Sequence, residues 1–314
     1  MKTLLLAAVA AFALAAPAFA QAAAPPPAAG PAADKEDKAI PPPTVSVTHH
    51  RGTFGGQAVA YTATASETYL KGDDGTPKAS LFSVAYVKEP RDPSRPVTFL
   101  FNGGPGSGSV WLQMGAFGPK RVAIPSDARD DGPPPYPILD NPDCLLDVTD
   151  IVFIDPVGTG FSHTLGKTEG KEFYGVTADA KAVAEVIRRW LNDNGRWNSP
   201  KYLGGESYGT TRSAAVANQL VNQTYNDVAL NGIILMSTVL DFAAGSDAPG
   251  NELSYITNLP SMAATALYHG KATAPSVEQF VEEARQFALG PYAAALLKGQ
   301  RLSPEERTTI RHQL

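Results

Sequence analysis

The sequence predicts an α/β fold with a mixed, mostly parallel sheet, followed by a helical segment. Three observations carry that expectation. Short, almost wholly apolar runs occupy residues 97–101 and 151–154, as in strands buried on both faces. A helical stripe of Ala180, Val183, Ala184, Ile187 and Leu191 recurs at three- and four-residue steps between them and the next strand. A short strand at Tyr202 and Leu203 then gives way, through a glycine-rich turn, to a helix over 210–221.

Composition agrees with a folded chain and narrows its chemistry. Of 314 residues, 43% are hydrophobic and 18% charged, which is globular usage. The net charge of −5 argues against a protein that binds the phosphate backbone of nucleic acid. The single cysteine, Cys144, excludes an intrachain disulfide and a cysteine-based zinc site, and is expected to be buried and inert. No motif indicates a metal or an organic cofactor, no internal repeat is visible, and no pattern sets an oligomeric state.

Residues 1–20 read as a signal peptide: Lys2, an apolar run over 4–14, then Ala18-Phe19-Ala20 with cleavage after Ala20. The run is shorter than the roughly 20 residues a bilayer span needs, so a periplasmic or secreted protein without stable membrane insertion is expected. Residues 21–43, rich in Ala and Pro, read as an extended, disordered linker. The folded α/β core is expected over 44–242. It opens with strands around Val45 and Val47, 58–64 and 81–87, paired antiparallel through Gly55-Gly56 and Gly72-Asp73-Asp74-Gly75. The amphipathic helix is expected to be capped by Thr177, to carry Asp179 in its first turn and to end before Gly195. A last strand is expected over 233–240, with Asp241 at its end. Residues 243–314 read as a helical cap insertion with helices at 253–268, 277–297 and from 304 onward.

The chemistry sits at two glycine-rich strand ends. Gly205-Glu206-Ser207-Tyr208-Gly209 fits the G-x-S-x-G pattern between a strand and a helix. Such a turn raises a serine hydroxyl above the sheet at a helix amino end, where developing negative charge is favoured. Asn102-Gly103-Gly104-Pro105-Gly106 follows the 97–101 strand, where backbone N–H groups can join that of Tyr208 in stabilising an oxyanion. A phosphate loop is disfavoured, because Lys-Ser/Thr is missing and Pro105 lacks a donor.

Together these stretches resemble the serine carboxypeptidase family, peptidase family S10. The 102–107 segment resembles its Asn-Gly-Gly-Pro-Gly loop and 205–209 its nucleophile pentapeptide. Between them, Ile154-Asp155-Pro156-Val157-Gly158-Thr159-Gly160-Phe161-Ser162 looks like the family's Asp-Gln-Pro-Val-Gly-x-Gly-Phe-Ser segment with the Gln deleted. The resemblance spans about residues 97–241. It implies an α/β-hydrolase fold, Ser207 as nucleophile, and Gly104 and Tyr208 as oxyanion-hole donors. It further implies Asn102, Gly103 and Glu206 as holders of a peptide's C-terminal carboxylate. Glu206 can take that last role only by sharing a proton, since two carboxylates in contact cannot both ionise; acid-side activity follows.

Two departures qualify what the resemblance implies. Ala116 stands where the family has a second carboxylate-binding Glu, so an esterase or acyl-transfer activity is an alternative to C-terminal exopeptidase action. After Ser207 the Asp residues are Asp227, Asp241 and Asp247, and the histidines His269 and His312; Asp241 is the best acid candidate. His49, His50 and His163 read as surface or satisfied polar residues. The triad's acid and base are therefore expected to be absent, which makes 1–314 an amino-terminal fragment, inactive and poorly folded alone. A non-catalytic peptide-binding module with an incomplete triad is the other reading.

Overall fold

The structure is a computed structural model that describes residues 39–125, 132–222, 225–242 and 249–314. The expected signal peptide, most of the linker and Asp247 lie outside these residues. All elements belong to the unit Ile40–Leu314.

The chain opens with an antiparallel meander of β1 (Val45–Phe54), β2 (Gln57–Lys71) and β3 (Pro77–Glu89). The turns are the two expected glycine clusters, where Gly55, Gly56 and Gly75 take positive φ. β4 (Val97–Phe101) follows, then a short helix α1 (Val110–Leu112) running into a π-helical turn (Gln113–Phe117), and a hairpin of β5 (Lys120–Val122) and β6 (Ile138–Asp140). That hairpin has no counterpart in the sequence reading, because three-residue strands are too short for periodicity to register. Next come β7 (Asp150–Ile154), the two-residue β8 (His163–Thr164), α2 (Val176–Asp193), β9 (Lys201–Glu206), α3 (Tyr208–Val221) and β10 (Gly232–Met236).

The main sheet has the order β1-β2-β3-β7-β4-β9-β10, with β8 paired to β3. β7, β4, β9 and β10 run parallel, and the meander continues the sheet antiparallel. Every residue of β4 and β7 is buried, which is why these runs are wholly apolar or nearly so. Helices α2 and α3 pack together against the sheet. The stripe Ala180, Val183, Ala184, Ile187 and Leu191 is fully buried in the same core cluster as Phe99, Val152 and Leu203.

Three details differ from the sequence reading. Gly175, not Thr177, is the N-cap of α2 and no side chain caps it; Thr177 lies within the helix. β10 ends at Met236, because Ser237 turns the chain with a φ of 49°. Val239 then bonds back to α3, donating its N–H to Thr210 Oγ1 (3.0 Å) and accepting from Thr211 Oγ1 (3.0 Å). Asp241 therefore lies on a loop and not at a strand end. The segment 277–297 is not one α-helix: α5 (Val277–Phe287) and α6 (Ala293–Lys298) are separated by a π-helical turn (Ala288–Tyr292) containing Pro291, which has no N–H to donate. α4 (Leu253–Tyr268) and α7 (Pro304–Gln313) fall where the pattern placed them.

Candidate active site

The parallel strands deliver two loops to one place. β4 and β9 are hydrogen-bonded neighbours, with Phe101 paired to Gly205. The chain leaves β4 at Asn102 and β9 at Glu206, so the two glycine motifs emerge side by side.

Ser207 sits on the bend between β9 and α3 with φ 58° and ψ −124°, outside the regions an L-residue ordinarily occupies. The surroundings hold it there. Its N–H donates to Met236 O of β10 (2.9 Å), and its carbonyl accepts from Thr210 N (2.9 Å) and Thr210 Oγ1 (2.7 Å). Glycine on either side is a packing requirement: a Cβ on Gly205 would lie 1.9 Å from Gly209 O, and one on Gly209 2.7 Å from Phe101 O. Strain of this kind, about 1–3 kcal/mol per residue, persists where a tight turn must expose a side chain.

The facing loop packs directly on that bend. A Cβ on Gly103 would lie 2.5 Å from Tyr208 N, 2.6 Å from Glu206 O and 2.9 Å from Gly209 N. Only a glycine lets the 102–104 backbone approach the amide that follows the nucleophile. Gly104 takes a φ of 103°, which reverses the chain immediately afterwards. Buried Asn102 joins the two loops: Nδ2 donates to Glu206 Oε2 (3.1 Å), and Oδ1 accepts from Leu112 N (2.9 Å). Asn102, Gly103, Glu206, Ser207 and Tyr208 are thus in one constellation.

The histidines have other partners or surroundings. His49 bonds Glu89 Oε1 (3.0 Å) on the outer strands, and His50 bonds Thr48 Oγ1 (2.8 Å) and stacks on Tyr61. His163 bonds Phe161 O (3.1 Å), His269 packs edge-on to Tyr268 at the end of α4, and His312 is exposed on α7. Among the described residues no histidine ring hydrogen-bonds to Ser207 Oγ. Ala116 is exposed on the π-helical turn, where its carbonyl accepts from Asn141 Nδ2 (2.6 Å).

Two groups at the site were not singled out by the sequence. Asp155, buried at the end of β7, accepts from Ser109 N (2.7 Å) and Phe161 N (3.2 Å), tying the loop after β4 to the loop after β7. Burial pushes its carboxyl above the usual range, and the two amide bonds oppose that shift. Its signal was present in the 154–162 motif: a Cβ on Gly160 would lie 1.9 Å from Asp155 Oδ2, so the glycine is there for the carboxylate. The other group is the buried pair Arg212–Asp179 (Nε to Oδ2, 2.7 Å) between α3 and α2. Both residues help line a cavity of about 370 Å³, together with Pro105, Val157, Phe173 and Tyr174.

A parallel sheet, a strained serine at a strand–helix bend, and a glycine loop packed on the next amide define an α/β-hydrolase. The family model for serine carboxypeptidases matches residues 61–279, and the chain belongs to that family. No curated protein matches the chain. Among solved structures, a prohormone-processing carboxypeptidase from Saccharomyces cerevisiae is similar at 17% identity, covering 73% of this chain and 53% of that one, with a TM-score of 0.48. This chain thus spans about half the length of that carboxypeptidase. A hydrolase from Agrobacterium vitis is similar at 14% identity, covering 77% and 72%, with a TM-score of 0.35. An Aspergillus niger epoxide hydrolase is similar at 16%, covering 73% and 49%, with a TM-score of 0.33. No helix among the described residues is long and apolar enough to cross a membrane.

Proposed function

We propose that this chain carries the nucleophile half of an exported serine-type peptidase acting at peptide carboxyl termini. Ser207 Oγ attacks the last peptide carbonyl, and its proton passes to an imidazole. The tetrahedral oxyanion is held by Gly104 and Tyr208 N–H groups. The C–N bond breaks as that proton moves to the leaving amine, an acyl ester remains on Ser207, and water hydrolyses it. Asn102, Gly103 and Glu206 hold the free carboxylate of the substrate. The observation that carries this reading is Ser207 at φ 58° with Gly103 packed against the Tyr208 amide. No histidine ring among the described residues hydrogen-bonds to Ser207 Oγ, so the contacts of the site supply the nucleophile and the oxyanion donors and leave the base unassigned. β10 ends the strand order, with Ile233, Ile234 and Leu235 about 40% exposed.

The test is fluorophosphonate labelling of the 1–314 chain with adduct mapping by mass spectrometry. With no described histidine bonded to Ser207 Oγ, the chain should label slowly and at Ser207 alone, with no adduct in Ser207→Ala, since an oxyanion hole retains about 10³-fold catalysis by itself. Labelling at another residue would contradict the assignment. Ala116 favours a second reading, a broader acyl hydrolase. C-terminal amidation of a peptide would then leave its cleavage unchanged; the carboxypeptidase reading requires its loss.

A further inference from the structure

Arg212 occupies an unusual position for a charged residue. Its side chain is 1% exposed, on the inner face of α3, five residues after the nucleophile. Nη1 donates to Asn102 O and Nη2 to Pro105 O (3.3 Å), so one guanidinium grips both ends of the Gly103-Gly104 dipeptide. Nε is committed to Asp179 Oδ2 (2.7 Å) on α2. The guanidinium lies over the Tyr208 ring at 5.1 Å and the Phe101 ring at 5.8 Å. Gly103 and Gly104 have no side chains of their own to anchor them. An arginine's planar, forked donors hold two carbonyls and a carboxylate in one rigid geometry, whereas a lysine is a point charge on a flexible stem.

We propose that Arg212, fixed by Asp179, is a positioning residue that clamps the Gly103-Gly104 segment in the geometry of an oxyanion donor. This rests on the reading of Ser207 as nucleophile, but the clamp is measurable apart from it. Arg212 touches no reacting atom; it acts through the backbone at 102 and 105. Asp179 in turn holds the guanidinium plane, leaving the two η nitrogens for the loop.

The experiment compares the 1–314 chain with Arg212→Lys, Arg212→Met and Asp179→Asn by amide hydrogen exchange at Gly103 and Gly104, alongside fluorophosphonate labelling of Ser207. Exchange at the two glycines should rise about tenfold or more in Arg212→Met and less in Asp179→Asn, while amides of β4 and β7 keep their protection. Ser207 labelling should fall in parallel, by up to about 10²-fold. Should the Met variant fail to fold, Arg212→Lys keeps the charge and loses the fork, and serves as the same test. Unchanged exchange at Gly103 and Gly104 in the folded variants would overturn the clamp. So would a uniform rise across the sheet, which marks a merely structural role. A loosened loop in a chain whose wild-type Ser207 never labels would leave the clamp standing and sink the hydrolase reading instead.

Discussion

At the scale of single residues, Ser207 and Gly103 make opposite demands on the chain. Ser207 is a side chain where the backbone suits glycine; Gly103 is a glycine where a side chain would collide with an amide. Replacing Ser207 by Gly should therefore raise stability relative to Ser207→Ala by about 1 kcal/mol, as relief of strain outweighs glycine's added unfolded-state freedom. Urea denaturation of the two variants reads that difference; equal midpoints would mean the bend is unstrained. Gly103→Ala should lower the rate of Ser207 modification about 10²-fold, because its methyl must displace the Tyr208 amide. Cys144 is buried, and burial pushes its thiol up to about 11, so it should resist maleimide at pH 7 until denaturant is added. Fast labelling of the native chain would contradict that environment.

At the scale of elements, the strand–bend–helix unit of β9 and α3 depends on glycine spacing. Gly205→Ala puts a methyl 1.9 Å from Gly209 O and should destabilise the fold by about 1–3 kcal/mol, read as a lower denaturation midpoint at unchanged slope. The order and type of these elements were legible, since both the pentapeptide and the apolar runs of β4 and β7 are local patterns, although β9 and α3 run longer than expected. So was the meander, marked by its glycine turns. The end of β10 was not: residues 237–240 continue an apolar-rich pattern, yet the turn at Ser237 and the bonds from Val239 to Thr210 and Thr211 are made across the fold. The β5–β6 hairpin was too short to see. Arg212 was also hidden, because its role lies in a contact 110 residues distant along the chain. Periodicity reports which side chains face the core; it says nothing of a charged one whose partners are backbone carbonyls on a distant loop.

At the scale of the whole molecule, the sheet exposes apolar residues at both end strands, Val45 and Val47 on β1 and Ile233 to Leu235 on β10. Its interior also sets a pH response. Cys144 is raised from 9.0 to about 11 and Tyr61 from 10.0 to about 12, chiefly by burial. Between about pH 9 and 12 the unfolded chain thus binds fewer protons than the folded one, and stability must fall as pH rises through that window. Thermal unfolding followed from pH 8 to 11 should show this decline, shallower in Cys144→Ala; a rising midpoint would contradict the burial of both groups. The central claim concerns the meeting of two loops above this sheet, and a crystal structure of the phosphonylated chain tests it most directly. The phosphorus should be on Ser207 Oγ, with its phosphoryl oxygen about 3 Å from the N–H groups of Gly104 and Tyr208. A phosphoryl oxygen turned to solvent, with the 102–106 backbone drawn away from Tyr208, would contradict it.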